Sequence, residues 1–207
     1  MTAPARDLII ACGALAREIL ALVAANGLTH LDVRALPALL HNRPERIPEA
    51  VRAAIREGAR THARIFVAYA DCGTGGALDR VLAEEGAQRL PGAHCYALYS
   101  GVEAFAARAE ADMRAFFLTD FLARQFETLV IEGLGLDRHP ELREAYFGQY
   151  EKLVYLAQTD DAGLRERAAA AAARLALPLE IREVGFGDLE PSIIAFARGA
   201  GPIHPTA

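Results

Sequence analysis

A chain of 207 residues, 53% of them hydrophobic and 24% charged, carries enough apolar material for one sizeable core, and we expect a single domain over residues 1–207. A formal net charge of -5 without any basic run lacks the electrostatic footprint of a nucleic-acid binder. No stretch reaches the roughly 18 uninterrupted apolar residues of a membrane span, and residues 1–7 lack the apolar core of a secretory signal, so a cytoplasmic protein is expected, with neither membrane nor nucleic acid as partner. Three cysteines are too few for a disulfide framework, and an odd count leaves at least one thiol free.

Residues 7–11 read as a short apolar strand ending at Cys12-Gly13. A helix over 14–25 follows, with Leu15, Ile19, Leu22 and Val23 at helical spacing, and Asn26-Gly27 stops it. Residues 31–36 alternate as a second strand, and the proline-flanked segment 37–48, which contains His41, reads as a loop. A helix over 49–58, with Val51 and Ile55 inward, leads to a buried strand over 65–69. That run stops at Asp71-Cys72 and turns through Gly73, Thr74, Gly75 and Gly76 into a helix over 76–85. Cys72 is therefore expected at a strand end and near a helix start, where the macrodipole and free N–H groups favour a thiolate.

Residues 87–90 can form a fourth strand, ending in Pro91-Gly92-Ala93-His94-Cys95-Tyr96. Residues 101–109 look helical, and 116–134 reads as a longer Phe-rich helix with Asp120, Arg124 and Glu127 as its polar positions. Pro140, after His139 as N-cap, predicts a short helix ending near Gly148. A strand over 152–157, an alanine-rich helix over 160–175 and a strand over 179–184 form a compact βαβ unit, and the tail 199–207 is expected to fray.

Alternation of strands and helices predicts an α/β, Rossmann-like three-layer domain, with a mostly parallel sheet and helices on both faces. Parallel strands all finish on one edge, where open α/β folds bind ligands. Cys12, His41, Cys72 and His94-Cys95 each fall just after a predicted strand, so chain direction alone would bring them to one rim. Three thiolates and an imidazole suit zinc, and three thiolates with an open position suit catalytic zinc or a site-differentiated [4Fe-4S] cluster. We therefore expect Cys12, Cys72, Cys95 and His94 as metal ligands. Asp71 is a candidate carboxylate support or general base, His41 a candidate ligand or acid, and Gly73, Thr74 and Gly75 a candidate cofactor-binding turn.

Each residue also has an ordinary structural role open to it: a small buried cysteine, an aspartate bonding the N–H groups of its own glycine turn, or a solvent-facing loop histidine. His30, His62 and His204 are assigned no function. The Asp71-Cys72-Gly73-Thr74-Gly75 stretch matches the glycine loop of S-adenosylmethionine methyltransferases poorly, and neither a GxxxxGK[ST] loop nor a workable GxGxxG fingerprint is present. A thiol nucleophile at Cys72 assisted by His94 and Asp71 would leave Cys12 and Cys95 unexplained.

Taken together, Ala11-Cys12-Gly13-Ala14-Leu15, Leu40-His41-Asn42-Arg43-Pro44-Glu45, Asp71-Cys72-Gly73-Thr74-Gly75-Gly76, Arg89-Leu90-Pro91-Gly92-Ala93-His94-Cys95-Tyr96 and Phe117-Leu118-Thr119-Asp120-Phe121-Leu122 resemble the family called domain of unknown function 1638. The resemblance continues through Leu136-Asp137-Arg138-His139-Pro140-Glu141-Leu142 and Leu153-Val154-Tyr155-Leu156. It implies the company of corrinoid proteins and methylamine or betaine methyltransferases, hence one-carbon metabolism. Two functional expectations follow. One is a metalloenzyme whose zinc or iron–sulfur site at the strand ends is held by three cysteines, with or without a histidine, and which transfers a methyl or similar group of a small-molecule substrate. The other is a non-catalytic metal or cofactor carrier, or an accessory partner of a corrinoid methyltransferase.

Overall fold

The computed structural model describes residues 6–200. His204 and most of the tail expected to fray lie outside the described residues. In chain order the elements are β1 (Asp7–Cys12), α1 (Ala16–Ala25), β2 (Leu31–Leu36), two short 3-10 turns (Ala38–Asn42 and Pro44–Arg46), α2 (Ile47–Gly58), β3 (Ile65–Ala68), α3 (Ala77–Glu85) and β4 (Gln88–Arg89). There follow α4 (Cys95–Ser100), α5 (Val102–Ala107), β5 (Ala115–Thr119), α6 (Asp120–Arg124), a π-helix (Glu127–Glu132), α7 (Leu142–Phe147), β6 (Lys152–Ala157), α8 (Ala162–Leu175), β7 (Leu179–Glu183) and α9 (Leu189–Ala197). The architecture is α/β with parallel strands throughout, divided between two sheets where the sequence suggested one. Two compact units hold them: one runs to Leu98 and resumes at Phe186, the other spans Tyr99–Gly185. No helix among the described residues is long and apolar enough to cross a membrane.

In the first unit the sheet order is β2-β1-β3-β4. The central strand β1 is buried along its whole length, with Ile9 and Ile10 fully enclosed, because a parallel strand covered on both faces must be apolar on both. Its one acid, Asp7, is neutralised by a two-point bond from Arg64 at 3.2 and 2.5 Å. The crossover from β1 to β2 and that from β2 to β3 run in opposite directions across the sheet, so right-handed connections place α1 on one face and α2 and α3 on the other. In keeping with this, α1 packs against α9 and α2 against α3. Within the segment 37–48 expected as loop, Ala38–Asn42 and Pro44–Arg46 form the two 3-10 turns, and Ile47 and Pro48 already belong to α2.

The second unit is a three-stranded sheet in the order β5-β6-β7, and the βαβ unit read from the sequence is β6-α8-β7. The long helix expected over 116–134 is not formed. Residues Ala115–Thr119 pair with β6 as a strand, since aromatic side chains suit a pleated, half-buried surface. Thr119 then caps α6 by accepting a hydrogen bond from Leu122 N at 3.3 Å. Asp120, fully buried, knots the strand ends: its carboxylate accepts from Tyr155 Oη at 2.7 Å, Gln158 N at 3.1 Å and Thr159 Oγ1 at 2.5 Å, with Arg124 at 3.7 Å. Around it, Leu118, Phe126, Leu153, Tyr155 and Leu164 form the core. At the other end of the strands Lys152 and Arg182 converge on the buried Asp112 at 2.9 and 2.6 Å.

Candidate thiol centre at the switch point of the first sheet

In the order β2-β1-β3-β4 the connections leaving β1 and β3 turn to opposite faces, the switch-point topology beyond whose strand ends open α/β folds take ligands. Cys12 is the last residue of β1, and Cys72 lies in the loop that follows β3. His41 sits in the first 3-10 turn after β2, and His94 precedes Cys95, which opens α4 beyond β4. All of these belong to the first unit.

Close packing of two strand exits brings His41 to Cys12. Gly13 N donates to Leu36 O at 2.9 Å, and a Cβ built on Gly13 would stand 2.8 Å from Leu36 O and 3.0 Å from Ala38 N. Only glycine tolerates that approach. It leaves His41 Nδ1 3.6 Å from Cys12 Sγ and 3.1 Å from Ala38 O. Because a carbonyl only accepts, the Ala38 contact places the proton on Nδ1 and leaves Nε2 as the basic nitrogen. The imidazole runs nearly parallel to the Tyr69 ring, with centroids 6.4 Å apart. Loss of hydration holds its pKa below the ordinary value.

Cys72 is carried to the His94-Cys95 segment by backbone bonds, Asp71 N to Gly92 O at 3.1 Å and Cys72 N to Ala93 O at 2.8 Å. Arg89, buried beneath, grips Asp79 at 2.6 and 3.0 Å and donates to Leu90 O and Gly92 O at 2.7 and 3.2 Å. Asp71 directs its carboxylate into its own turn, accepting from Thr74 Oγ1 at 2.6 Å, Gly76 N at 3.0 Å and Gly75 N at 3.2 Å. Burial acts to raise its pKa, but these donors prevail and hold it below the ordinary carboxylate value. That spends its oxygens on loop order and weakens it as a base; Thr74 and the N–H groups of Gly75 and Gly76 are engaged by the same carboxylate. Cys72 itself adopts φ 52, a left-handed conformation that is costly for a residue bearing Cβ.

Electrostatics reverse the expectation of a ready thiolate at Cys72. Burial pushes the Cys12 thiol up to about 11 and the Cys72 thiol up to about 12, and it raises that of Cys95 as well. α3 begins only at Ala77, five residues after Cys72, so the expected help from its N-terminus does not reach the thiol. The same interactions report proximity: a charge on Cys12 is felt at Cys72 and at Cys95, and a charge on Cys72 at Cys95. His94, tilted against Tyr96 with ring centroids 5.2 Å apart, is likewise held neutral by burial.

Sequence reading overlooked Tyr69. It is fully buried, its hydroxyl closes no hydrogen bond of normal geometry, and its electrostatic neighbours are Cys12 and Cys72. A hydroxyl at the end of an otherwise apolar run, next to Ala70-Asp71-Cys72, was the available signal.

Soft sulfur with imidazole is the donor chemistry of zinc or an iron–sulfur cluster. Among the described residues, however, no three His, Cys, Asp or Glu side chains already stand as a metal-holding group. Ligation by Cys12, Cys72 and Cys95 would thus require the thiols to shed their protons and turn inward, as coupled metal binding commonly does.

A sequence model of the family described as "Protein of unknown function (DUF1638)" matches residues 35–193. The match contains His41, Asp71, Cys72, His94 and Cys95, while Cys12 precedes it. No curated protein and no solved structure matches the chain.

Proposed function

The chain belongs to the DUF1638 family of unknown function, and from its own residues we propose that it is a metal-dependent group-transfer protein whose centre is held by Cys12, Cys72 and Cys95. His94 or His41 is the available nitrogen donor. What supports this reading is that Cys12, Cys72 and Cys95 each end or follow a strand of the first sheet and that burial leaves their thiols electrostatically coupled. Zinc or an iron–sulfur cluster would supply Lewis acidity there, for activation of a thiol or a water. The protein's part is to gather soft donors, disfavour protonation of the imidazoles, and exclude water: Cys12 is 2% exposed and Tyr69 0%. Transfer of a methyl or similar group between a small molecule and sulfur fits that chemistry, in cooperation with a corrinoid methyltransferase protein.

The enclosure of Cys12 also favours a second reading. With His94 as fourth ligand the centre would be saturated and would serve a carrier, because a closed tetrahedral site has no place for substrate. Elemental analysis and the visible spectrum of protein purified without oxygen test the proposal. We expect bound zinc or iron in the parent protein and its loss in each of Cys12→Ala, Cys72→Ala and Cys95→Ala; full metal content in all three variants would refute it.

A further inference from the structure

We propose that the free edge of β7 is a dimerisation surface, on which β7 of a second copy of this chain pairs antiparallel about a two-fold axis through Ile181. The surface belongs to the second unit and does not depend on the thiol centre.

β7 is the last strand in the order β5-β6-β7, with β6 on one side only. Leu153 N donates to Pro178 O at 2.8 Å and Val184 N to Ala157 O at 3.0 Å. In the parallel ladder between these two bonds, Glu180 and Arg182 turn their peptide groups toward β6. Leu179, Ile181 and Glu183 therefore present theirs outward, and no other described segment takes them up. Edges of this kind are ordinarily blunted by a proline, a bulge or an inward charge, yet β7 contains no proline and its register with β6 is unbroken from Leu179 to Glu183. Ile181 stands on this edge 40% exposed.

The side chains decide which strand fits. A two-fold axis through Ile181 puts Leu179 opposite Glu183 of the partner subunit, so the outward-facing residues of both copies all fall into hydrogen-bonded pairs. The same axis places Glu180 opposite the partner's Arg182, on one face of the sheet and in the closer, non-hydrogen-bonded positions. Moving the axis by one residue sets Glu180 against Glu180 or Arg182 against Arg182, which like-charge repulsion disfavours. Arg182 has donors to give: Nε reaches Glu180 Oε1 at 2.6 Å, and Nη1 and Nη2 reach Asp112 at 2.6 and 2.8 Å, which leaves one N–H on each Nη. On the opposite face Ile181 meets its own counterpart and leaves water. Pairing joins two three-stranded sheets into one continuous sheet. A strand that is self-complementary under this rotation fits a second copy of itself better than an unrelated segment.

Sedimentation equilibrium of the full-length protein tests the pairing. A strand contact of this length is smaller than a standard interface, so we expect a reversible dimer with a dissociation constant of about 1–100 μM. Ile181→Pro removes an N–H that β6 does not use, which an edge strand tolerates; it should weaken the dimer at least about tenfold and leave the circular dichroism spectrum unchanged. Ile181→Lys and Ile181→Glu should each be monomeric, because the axis sets like charges face to face, and their equimolar mixture should restore a dimer holding one of each. A parent protein that stays monomeric at about 0.5 mM leaves the edge to a strand of another protein and overturns the proposal. An undiminished dimer in Ile181→Pro overturns it as well, since the contact then lies elsewhere. So does a mixture of folded Lys and Glu variants that remains monomeric; if those two fail to fold, the proline variant alone decides.

Discussion

Metal binding at this rim should release protons in a number set by the thiols. Burial holds Cys12 at about 11, so at pH 7 only about one molecule in ten thousand carries the thiolate. Ionising it there costs ~5 kcal/mol, against ~3 kcal/mol for an ordinary thiol of pKa 9.0. Cys72, at about 12, costs more, and Cys95 is raised in the same sense. An ion that binds all three as thiolates must therefore displace close to three protons at neutral pH, and its apparent affinity should climb by about a thousandfold per pH unit while all three thiols remain protonated in the free protein. Zinc titrations by calorimetry in buffers of different ionisation heat give the proton count, and chelator competition at several pH values gives the slope. Release of one proton or none, or an affinity that does not change with pH, would refute the picture of three protonated thiols closing on one ion.

The same groups make folding stability pH-dependent at both ends. The raised thiols contribute stability fully present below about pH 9 and lost as pH rises toward 11 and beyond, because the unfolded chain gives up thiol protons that the folded one retains. The depressed imidazoles of His41 and His94 act in the opposite sense: their contribution is present above the ordinary value of 6.5 and lost as pH falls below it. Urea midpoints should form a dome between these limits, with Cys12→Ala flattening the alkaline side. Replacing Cys72 by glycine removes a Cβ from a left-handed residue, so Cys72→Gly should match or exceed the parent in stability, by up to ~1 kcal/mol in denaturant titration, while losing the metal. In the second unit, Asp120→Asn should cost ~2–4 kcal/mol by breaking a fully buried knot, and Tyr155→Phe only ~1 kcal/mol. Near-equal costs would mean that the tyrosine bond alone carries the knot.

Local pattern determined a good deal of this protein without help. The apolar run of β1 has no stable place except between covering layers, and Asp7–Cys12 is buried at every position. β2 and β6 occupy the residues expected from alternation and apolar run, and Gly86 ends α3 in the left-handed conformation glycine permits. That the cysteines follow strands was equally legible, since a strand exit is a local event. Residues 115–119 were misread because a short aromatic run fits a helix interior or a strand equally well, and only pairing with β6 decides between them. Pairing also decided what no spacing contains: β3 lies beside β1 across from β2, which makes their ends the switch point, and their register closes with Ala11 opposite Ala68, just before Cys12 and Tyr69. The protonation of the thiols belongs to the tertiary structure for the same reason. A helix start nearby in sequence argues for a thiolate, whereas the solvent removed by distant segments argues more strongly for the thiol.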